Sequence, residues 1–207
     1  MWARVKASQV IEIINGAKAM TIDGTQYPAS IFKIWSAADL KAKGLYSYSE
    51  TGMKDTFYYN IGAIKYTVDD DAGTVVGKYA STAKGMDDVK WTSKEISDGD
   101  APPDATTDTV KTKGLKTLWK EKIKASAASL IAPYDWYSLR KAQAGTAIPS
   151  AINTYMNAVR TASAVNEANV ASTSDVDQMI ERASDTFDKD GVWTANSVYN
   201  EWPTPLD

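Results

Sequence analysis

The sequence of 207 residues contains no cysteine and no histidine. The lack of cysteine excludes disulfides, thiolate zinc sites and thiol nucleophiles. The lack of histidine removes the commonest general base and the commonest transition-metal ligand, and it excludes a Ser-His-Asp triad. Catalysis would have to use carboxylates or lysines, and no pair among the 26 acidic residues is singled out by its position. We therefore expect a protein that is not an enzyme, with no catalytic residue, no cofactor and no metal site.

Long apolar runs and a basic stripe are missing as well. No run approaches the roughly 20 apolar residues of a membrane-spanning helix, and residues 1–6 lack the apolar segment of a signal peptide. We expect synthesis in the cytoplasm and no membrane partner. The net charge is −3, and one lysine-rich stretch is typical of the solvated face of a helix, so we also expect no nucleic-acid partner. Its lysines are Lys111, Lys113, Lys116, Lys120, Lys122 and Lys124.

Two acidic stretches have the composition of a calcium loop without its spacing. Asp69, Asp70 and Asp71 are consecutive, so their carboxylates diverge instead of converging on one cation. Residues 185–191 lack both the first aspartate and the final bidentate glutamate of a calcium loop. We interpret the first stretch as a hairpin turn and the second as a helix end followed by a glycine turn.

Residues 1–91 predict a small β-rich module with one short helix. Alternating apolar residues suggest hairpins, bent near Ala7-Ser8 and at Asp23-Gly24, with a further hairpin turn at 69–73. A helix is predicted from residue 37 to 43, with Ser36 as its cap and Gly44 as its stop. The aromatic residues needed for the core of this module are Trp2, Phe32, Trp35, Tyr46 and Phe57.

The composition changes after residue 91. The polar run 92–113 contains paired prolines and almost no apolar residue, which predicts a linker. Residues 114–190 have helical periodicity and predict a helical module of about three helices. In this module Asp135 should cap a short helix, Pro149 should lie in the first turn of the next, and the last, entered at Ser174, should carry Phe187 on its apolar face. Residues 191–207 predict an extended aromatic tail, and the fold class is α+β.

Aromatic residues give the positive signal. Seven tryptophans and eleven tyrosines are many for this length, and several flank the predicted linker or tail. Because aromatic side chains combine large apolar area with little conformational entropy, they are favoured anchors of protein interfaces. The alternative is that the tail folds back and packs its rings on its own domains, and the sequence leaves both open. The candidates are Trp91, Trp193, Tyr199 and Trp202.

Residues 128–160 resemble the C-terminal region of tail assembly and tail-fibre assembly proteins of tailed bacteriophages. The matching positions are Asp135 and Trp136 after a helix, then Tyr155 and Arg160 in the helix after a proline, while Met156 replaces the usual arginine. Residues 31–46 are similar to an N-terminal module that recurs in tail-region proteins of marine phages. Together the two stretches cover about a quarter of the chain.

The resemblance implies a protein that binds tail or tail-fibre subunits in the virion tail, within an oligomeric or symmetric assembly. It would act as a permanent structural component or as an assembly factor, made in the host cytoplasm. It further implies that Asp135 caps a helix, that Trp136 and Tyr155 pack between helices, and that Arg160 pairs with a carboxylate. Trp136, Tyr155 and Arg160 thereby join the candidate partner contacts.

Two other functions remain open at this point. A carbohydrate-binding or depolymerising tail module would also use aromatic faces, and it predicts a cleft with two or more coplanar rings. A host-directed inhibitor that binds one bacterial protein fits a two-module binding chain equally well.

Overall fold

The chain is a mixed α+β protein in the computed structural model, which describes residues 1–206. It divides into two compact units, Met1–Ala83 and Lys84–Asp207. The predicted boundary at residue 91 therefore lies inside the second unit. Among the described residues, no helix is both long and apolar enough to cross a membrane.

Two tight turns begin the first unit. Ala7 and Ser8 have φ values of 49° and 57°, and Asp23 and Gly24 have 47° and 81°. Positive φ at both central residues suits the two-residue turns that match the twist of a hairpin. The first turn joins β1 to β2 and the second joins β3 to β4, so both predicted hairpins are confirmed. Their bounds are Trp2–Lys6, Gln9–Ile14, Met20–Ile22 and Thr25–Tyr27.

Two short helices follow, where one was predicted. Helix α1 (Ile31–Ile34) was missed because four residues are too few to show a helical period. Helix α2 (Ala37–Ala42) agrees with the prediction, since Ser36 forms a reciprocal capping box with Asp39. Gly44 ends it with φ 69°, and a Cβ there would lie 2.5 Å from a backbone oxygen of β1, so only glycine fits.

Three longer strands complete a five-stranded sheet. They are β5 (Leu45–Thr51), β6 (Tyr59–Asp69) and β7 (Thr74–Ala83), and the strand order is β2-β1-β5-β7-β6. The β5–β7 pair is parallel and the other pairs are antiparallel. The two outer strands, β2 and β6, also approach each other, so the sheet curls back on itself.

Successive residues of the inner strands supply two separate apolar clusters. In β5, Leu45 joins a cluster that includes Phe32, while Tyr46 and Tyr48 join a second one with Val75. This alternation follows from the two-residue period of a strand. Of the predicted core aromatics, Phe32 and Tyr46 are buried, Trp2 and Trp35 are partly buried against the first cluster, and Phe57 is only half-buried.

Asp70, in the turn between β6 and β7, connects this turn to the β1–β2 turn and to β5. It accepts hydrogen bonds from the Ser8 hydroxyl, in the β1–β2 turn, and from the Tyr46 hydroxyl at 2.7 Å. These bonds lower the pKa of Asp70 and raise that of Tyr46. Asp69 accepts from the backbone N–H of Ala72 at 2.8 Å. The stretch is a hairpin turn, as predicted, and one of its carboxylates holds a second turn in place.

The predicted linker at 92–113 contains regular structure instead. Strand β8 (Val89–Lys90) pairs with β9 (Val110–Thr112), and helix α3 (Ser93–Ser97) lies between them. Thr92 and Glu95 form a capping box, and Glu95 also pairs with Lys111. Polar contacts order this segment in place of an apolar core, which is why a composition argument mistook it for a linker.

Four further helices and a hairpin make up the rest of the second unit. Helix α4 packs on α6, and the buried residues of their contact include Ala127, Tyr155 and Val159. A 3₁₀ turn, Ala132–Tyr134, separates α4 from α5. The bounds are α4 Leu115–Ile131, α5 Asp135–Ala144, α6 Ser150–Ala171, α7 Val176–Ala183, β10 Thr186–Phe187 and β11 Trp193–Ala195.

Several predicted helix ends are wrong in detail. Tyr134, not Asp135, is the cap residue of α5, and Asp135 is its first helical residue without a side-chain cap bond. Pro149 is the cap residue of α6 instead of a residue in its first turn. Helix α7 is capped by Asp175 and stops at residue 183, so Phe187 lies in β10 and is exposed. Apolar spacing alone did not detect that the helix ends before the glycine turn.

We predict that Tyr46→Phe lowers the free energy of unfolding by about 0.5–1.5 kcal/mol, because Asp70 loses one of its two hydroxyl donors. Urea denaturation measures the change. Tyr66→Phe is the matched control: its ring is 44% exposed and its hydroxyl has no hydrogen bond within the described part of the chain. Equal effects of the two substitutions would contradict the role given to Asp70.

In segment 92–112, the hydrogen bonds of Glu95 make the stability of the fold depend on pH. The hydrogen bond from Lys111, with two more from Thr92, lowers the pKa of Glu95 from 4.5 to about 2. A lowered pKa in the folded state stabilises the fold above the unfolded value, and this contribution is lost as pH falls from about 4.5 towards 2. We expect Glu95→Gln to remove that part of the pH dependence, measured by urea denaturation between pH 7 and 2. Asp104→Asn, at an exposed position of the same segment, is the matched control, and equal profiles for the two variants would contradict the role given to Glu95.

Candidate interaction surfaces

Helix α5 presents the first exposed apolar surface. None of its ten residues is buried, and Trp136 and Leu139 are 49% and 61% exposed. Their spacing of three residues places them on the same face of the helix. The Trp136 ring lies 3.8 Å from that of Tyr137, and the Arg140 guanidinium lies 4.7 Å from the Trp136 ring centre. We call these four residues the helix surface.

The β10–β11 hairpin presents the second exposed apolar surface. Phe187 is opposite Trp193 in the strand pairing, and the two are 59% and 52% exposed. Val192 at the turn is exposed as well. Asp188 shapes the turn by accepting from the backbone N–H groups of Asp190 and Val192, both at 2.9 Å. We call Phe187, Val192 and Trp193 the hairpin surface.

The residues after the hairpin pack on helices of their own unit. Residues 196–206, here named the arm, have no strand or helix, but Ser197 and Tyr199 are buried and Trp202 and Leu206 are partly buried. The predicted tail thus divides into an exposed hairpin and a packed arm. Of the two alternatives left open by the sequence, folding back on the chain holds for Tyr199 and Trp202.

Tyr199 is the best-anchored residue of the arm. It is 2% exposed, its hydroxyl shares a hydrogen bond of 2.5 Å with Thr173, and its ring centre lies 5.2 Å from that of Trp119. Thr173 also donates to the carbonyl of Asn169 near the end of α6. Arg182 of α7 donates to the same carbonyl at 3.0 Å, so the arm is tied into the polar contacts that close this helix end.

A cleft of about 320 Å³ lies beside Tyr199, lined in part by Trp119, Lys122, Asp185 and Asn200. The carbohydrate alternative predicts coplanar rings, but the Trp119 and Tyr199 planes are inclined by 56°. Asp185 accepts from the backbone N–H of Ser197 at 2.8 Å, so its carboxylate has a structural role here. The two rings of this cleft therefore do not form the coplanar pair that the carbohydrate alternative predicts.

The remaining candidate residues lie apart from one another. Trp91 is half-buried with the Lys111 ammonium 4.7 Å from its ring centre, so it serves the local structure of its own segment. Tyr155 is buried against Tyr134, with ring centres 5.5 Å apart, and cannot reach a partner. Arg160 is exposed and donates to Asn157 at 3.0 Å, so within the described residues it has no carboxylate partner, contrary to expectation.

Trp136 and Trp193 are thus the aromatic candidates that remain accessible, beside the exposed Arg160, and Trp136 does not pack between helices as expected. Sequence reasoning missed Leu139, Phe187 and Val192 as surface residues. Leu139 lies three residues after Trp136, a spacing that reveals the shared face once α5 is known to be unpacked. Phe187 was assigned to the core of a helix that in fact ends earlier.

Comparison with family models, with curated proteins and with solved structures gives no match to this chain. Within the part of the chain that the structure describes, no three carboxylates are grouped closely enough to hold a metal ion.

We predict a coupling of about 1 kcal/mol between Tyr199 and Thr173 in a double-mutant cycle with Tyr199→Phe and Thr173→Val, because each hydroxyl is the buried partner of the other. Thermal or urea unfolding gives the four stabilities. Tyr137→Phe, on the exposed helix α5, should change the stability by far less than Tyr199→Phe. A coupling energy of zero would show that the arm is not seated through this bond.

Proposed function

We propose that the chain is a non-enzymatic, tail-associated protein of a tailed bacteriophage that binds tail or tail-fibre subunits, as a virion structural component or as an assembly factor. The resemblance of residues 128–160 to tail and tail-fibre assembly proteins supports the identity of the partners. The observation that carries the binding role is the helix surface, because α5 exposes Trp136 and Leu139 while burying no residue.

A helix of ten residues that buries no residue fully, and of which Tyr137 and Arg140 are half-buried, has little to stabilise it. Isolated helices shorter than about 12–15 residues are marginal in water, and most helices in proteins are held by packing of an apolar face. In α5 that face is turned outwards. A partner that covers Trp136 and Leu139 would supply the missing packing, and Arg140 beside them offers a charged contact at the rim.

The hairpin surface supports the same role independently. A two-stranded hairpin buries too little to be stable by itself, and every residue of β10 and β11 is exposed. The exposed pair of Phe187 and Trp193 is the kind of aromatic anchor that interfaces use. Two separate apolar surfaces suit a subunit with more than one neighbour, which agrees with an oligomeric or symmetric assembly.

The division of the chain into two modules is part of the same proposal. We assign residues 1–83 to a β-rich module and the helices from residue 115 onwards to a helical module that carries both exposed surfaces. The helical module would contact the tail or fibre subunit. The acidic stretches serve turns and caps in this scheme, so no chemistry is required of them.

We expect Trp136→Ser to weaken binding to purified tails or fibres by about 30-fold or more, the effect of removing a central aromatic anchor, while the unfolding free energy changes little. Binding is measured by biolayer interferometry, and Trp193→Ser tests the hairpin surface in the same way. Ile34→Ser is the matched control, because Ile34 is also an exposed apolar residue and belongs to the first unit.

Two outcomes would contradict the proposal. Unchanged binding in both tryptophan variants would remove the two surfaces from the interface. Capture of a single host protein from infected cells, without tail proteins, would favour a host-directed inhibitor. Mass spectrometry of purified particles separates the remaining versions, since a structural component stays in the virion and an assembly factor does not.

A further inference from the structure

The surface of α4 and α6 on which the arm packs, here named the groove, has the features of a peptide-binding site. Side-chain amides of α6 hydrogen-bond to backbone carbonyls of the arm: Asn166 to Glu201 at 3.2 Å and Asn169 to Val198 at 3.5 Å. Asn166 is 1% exposed, so its amide is committed to this contact. Backbone contacts of this kind hold a bound segment whatever its side chains are.

Pockets between the helices add selectivity for particular side chains. Tyr199 enters one pocket beside Trp119. Trp202 and Leu206 pack on the cluster formed by Tyr155 and its neighbours on α4 and α6. Combined backbone and side-chain recognition of one segment is how proteins bind a peptide ligand, and here the ligand is part of the same chain.

The connection that joins α7 to the arm contributes no buried residue to the core. All thirteen residues from 184 to 196 are exposed, including the whole β10–β11 hairpin. Withdrawal of the arm would therefore break the contacts of the arm on α4 and α6 and no core contact of the connection, and the arm of a second copy would restore them. An opened connection of this length spans up to about 40 Å, enough to reach a neighbouring molecule.

We propose that the arm is exchangeable, and that in an assembly the arm of one copy occupies the groove of a second copy of this chain. The arm makes the same contacts in the groove of its own chain and in the groove of a second copy. The contacts therefore do not favour one state over the other. The balance depends on the local concentration of other copies relative to that of the chain's own arm, which is about millimolar for a short flexible connection. Dilute chains keep their own arm, and closely spaced copies exchange it.

Arm exchange goes beyond the proposed function and does not depend on it. It rests on contacts within the second unit, whereas the tail role rests on the helix and hairpin surfaces. Loss of exchange would leave tail binding through the helix surface unaffected, and loss of that binding would leave exchange unaffected.

The absence of cysteine allows a clean test with thiol crosslinking of the full chain. The double variant N169C/V198C is treated with a short bis-maleimide in dilute solution and should become crosslinked within one chain. Single variants N169C and V198C, distinguished by mass, are then mixed at about millimolar concentration and crosslinked. A covalent heterodimer can form efficiently only if the arm of one copy lies in the groove of the other.

A147C mixed with V198C is the matched control, because Ala147 is exposed and lies outside the groove. We expect at least about 10-fold more heterodimer from N169C with V198C than from the control pair, decreasing on dilution as exchange requires. Equal yields from the two pairs, while the double variant crosslinks internally, would overturn the proposal. Failure of the double variant to crosslink internally would overturn it as well, since the arm would not occupy the groove.

Discussion

Packing of the arm against α4 and α6 is the contact on which the second unit depends. Two helices in contact bury one stripe each and leave apolar side chains beside their contact for a further segment to cover. The arm supplies part of that layer with Tyr199, Trp202 and Leu206. The sequence suggests a free aromatic tail. In the structure, these residues follow the exposed hairpin in the chain and pack into the core.

The carboxylates of this protein hold backbone structure in place. Asp39, Glu95 and Asp175 hydrogen-bond to the N-termini of helices, and Asp188 does the same for the last turn. Each such bond satisfies a backbone N–H that the helix or turn leaves without a partner. The acidic residues so engaged determine where these helices and this turn begin.

Local features of the fold could be predicted from the sequence, and distant ones could not. The Ala7-Ser8 and Asp23-Gly24 turns and the Ser36 cap were correct because a few neighbouring residues determine them. The structure of residues 92–113 was missed because no apolar run follows the local capping box of Thr92 and Glu95, and because the ion pair of Glu95 with Lys111 joins residues sixteen positions apart. For the candidate surfaces, aromatic residues were the right signal, but only the tertiary structure shows that Trp136 is exposed and Tyr199 buried.

The exposed hairpin and the buried arm are adjacent in the chain, and arm exchange gives this arrangement a physical reason. If each arm binds its own groove, Phe187 and Trp193 remain in water, and the hairpin gains nothing from them. If the arm crosses to a second copy, the hairpin spans the junction between two molecules, where those rings can pack. The apolar surface that is costly in an isolated chain then stabilises the assembled state, so the same residues favour exchange over self-binding once copies are held together.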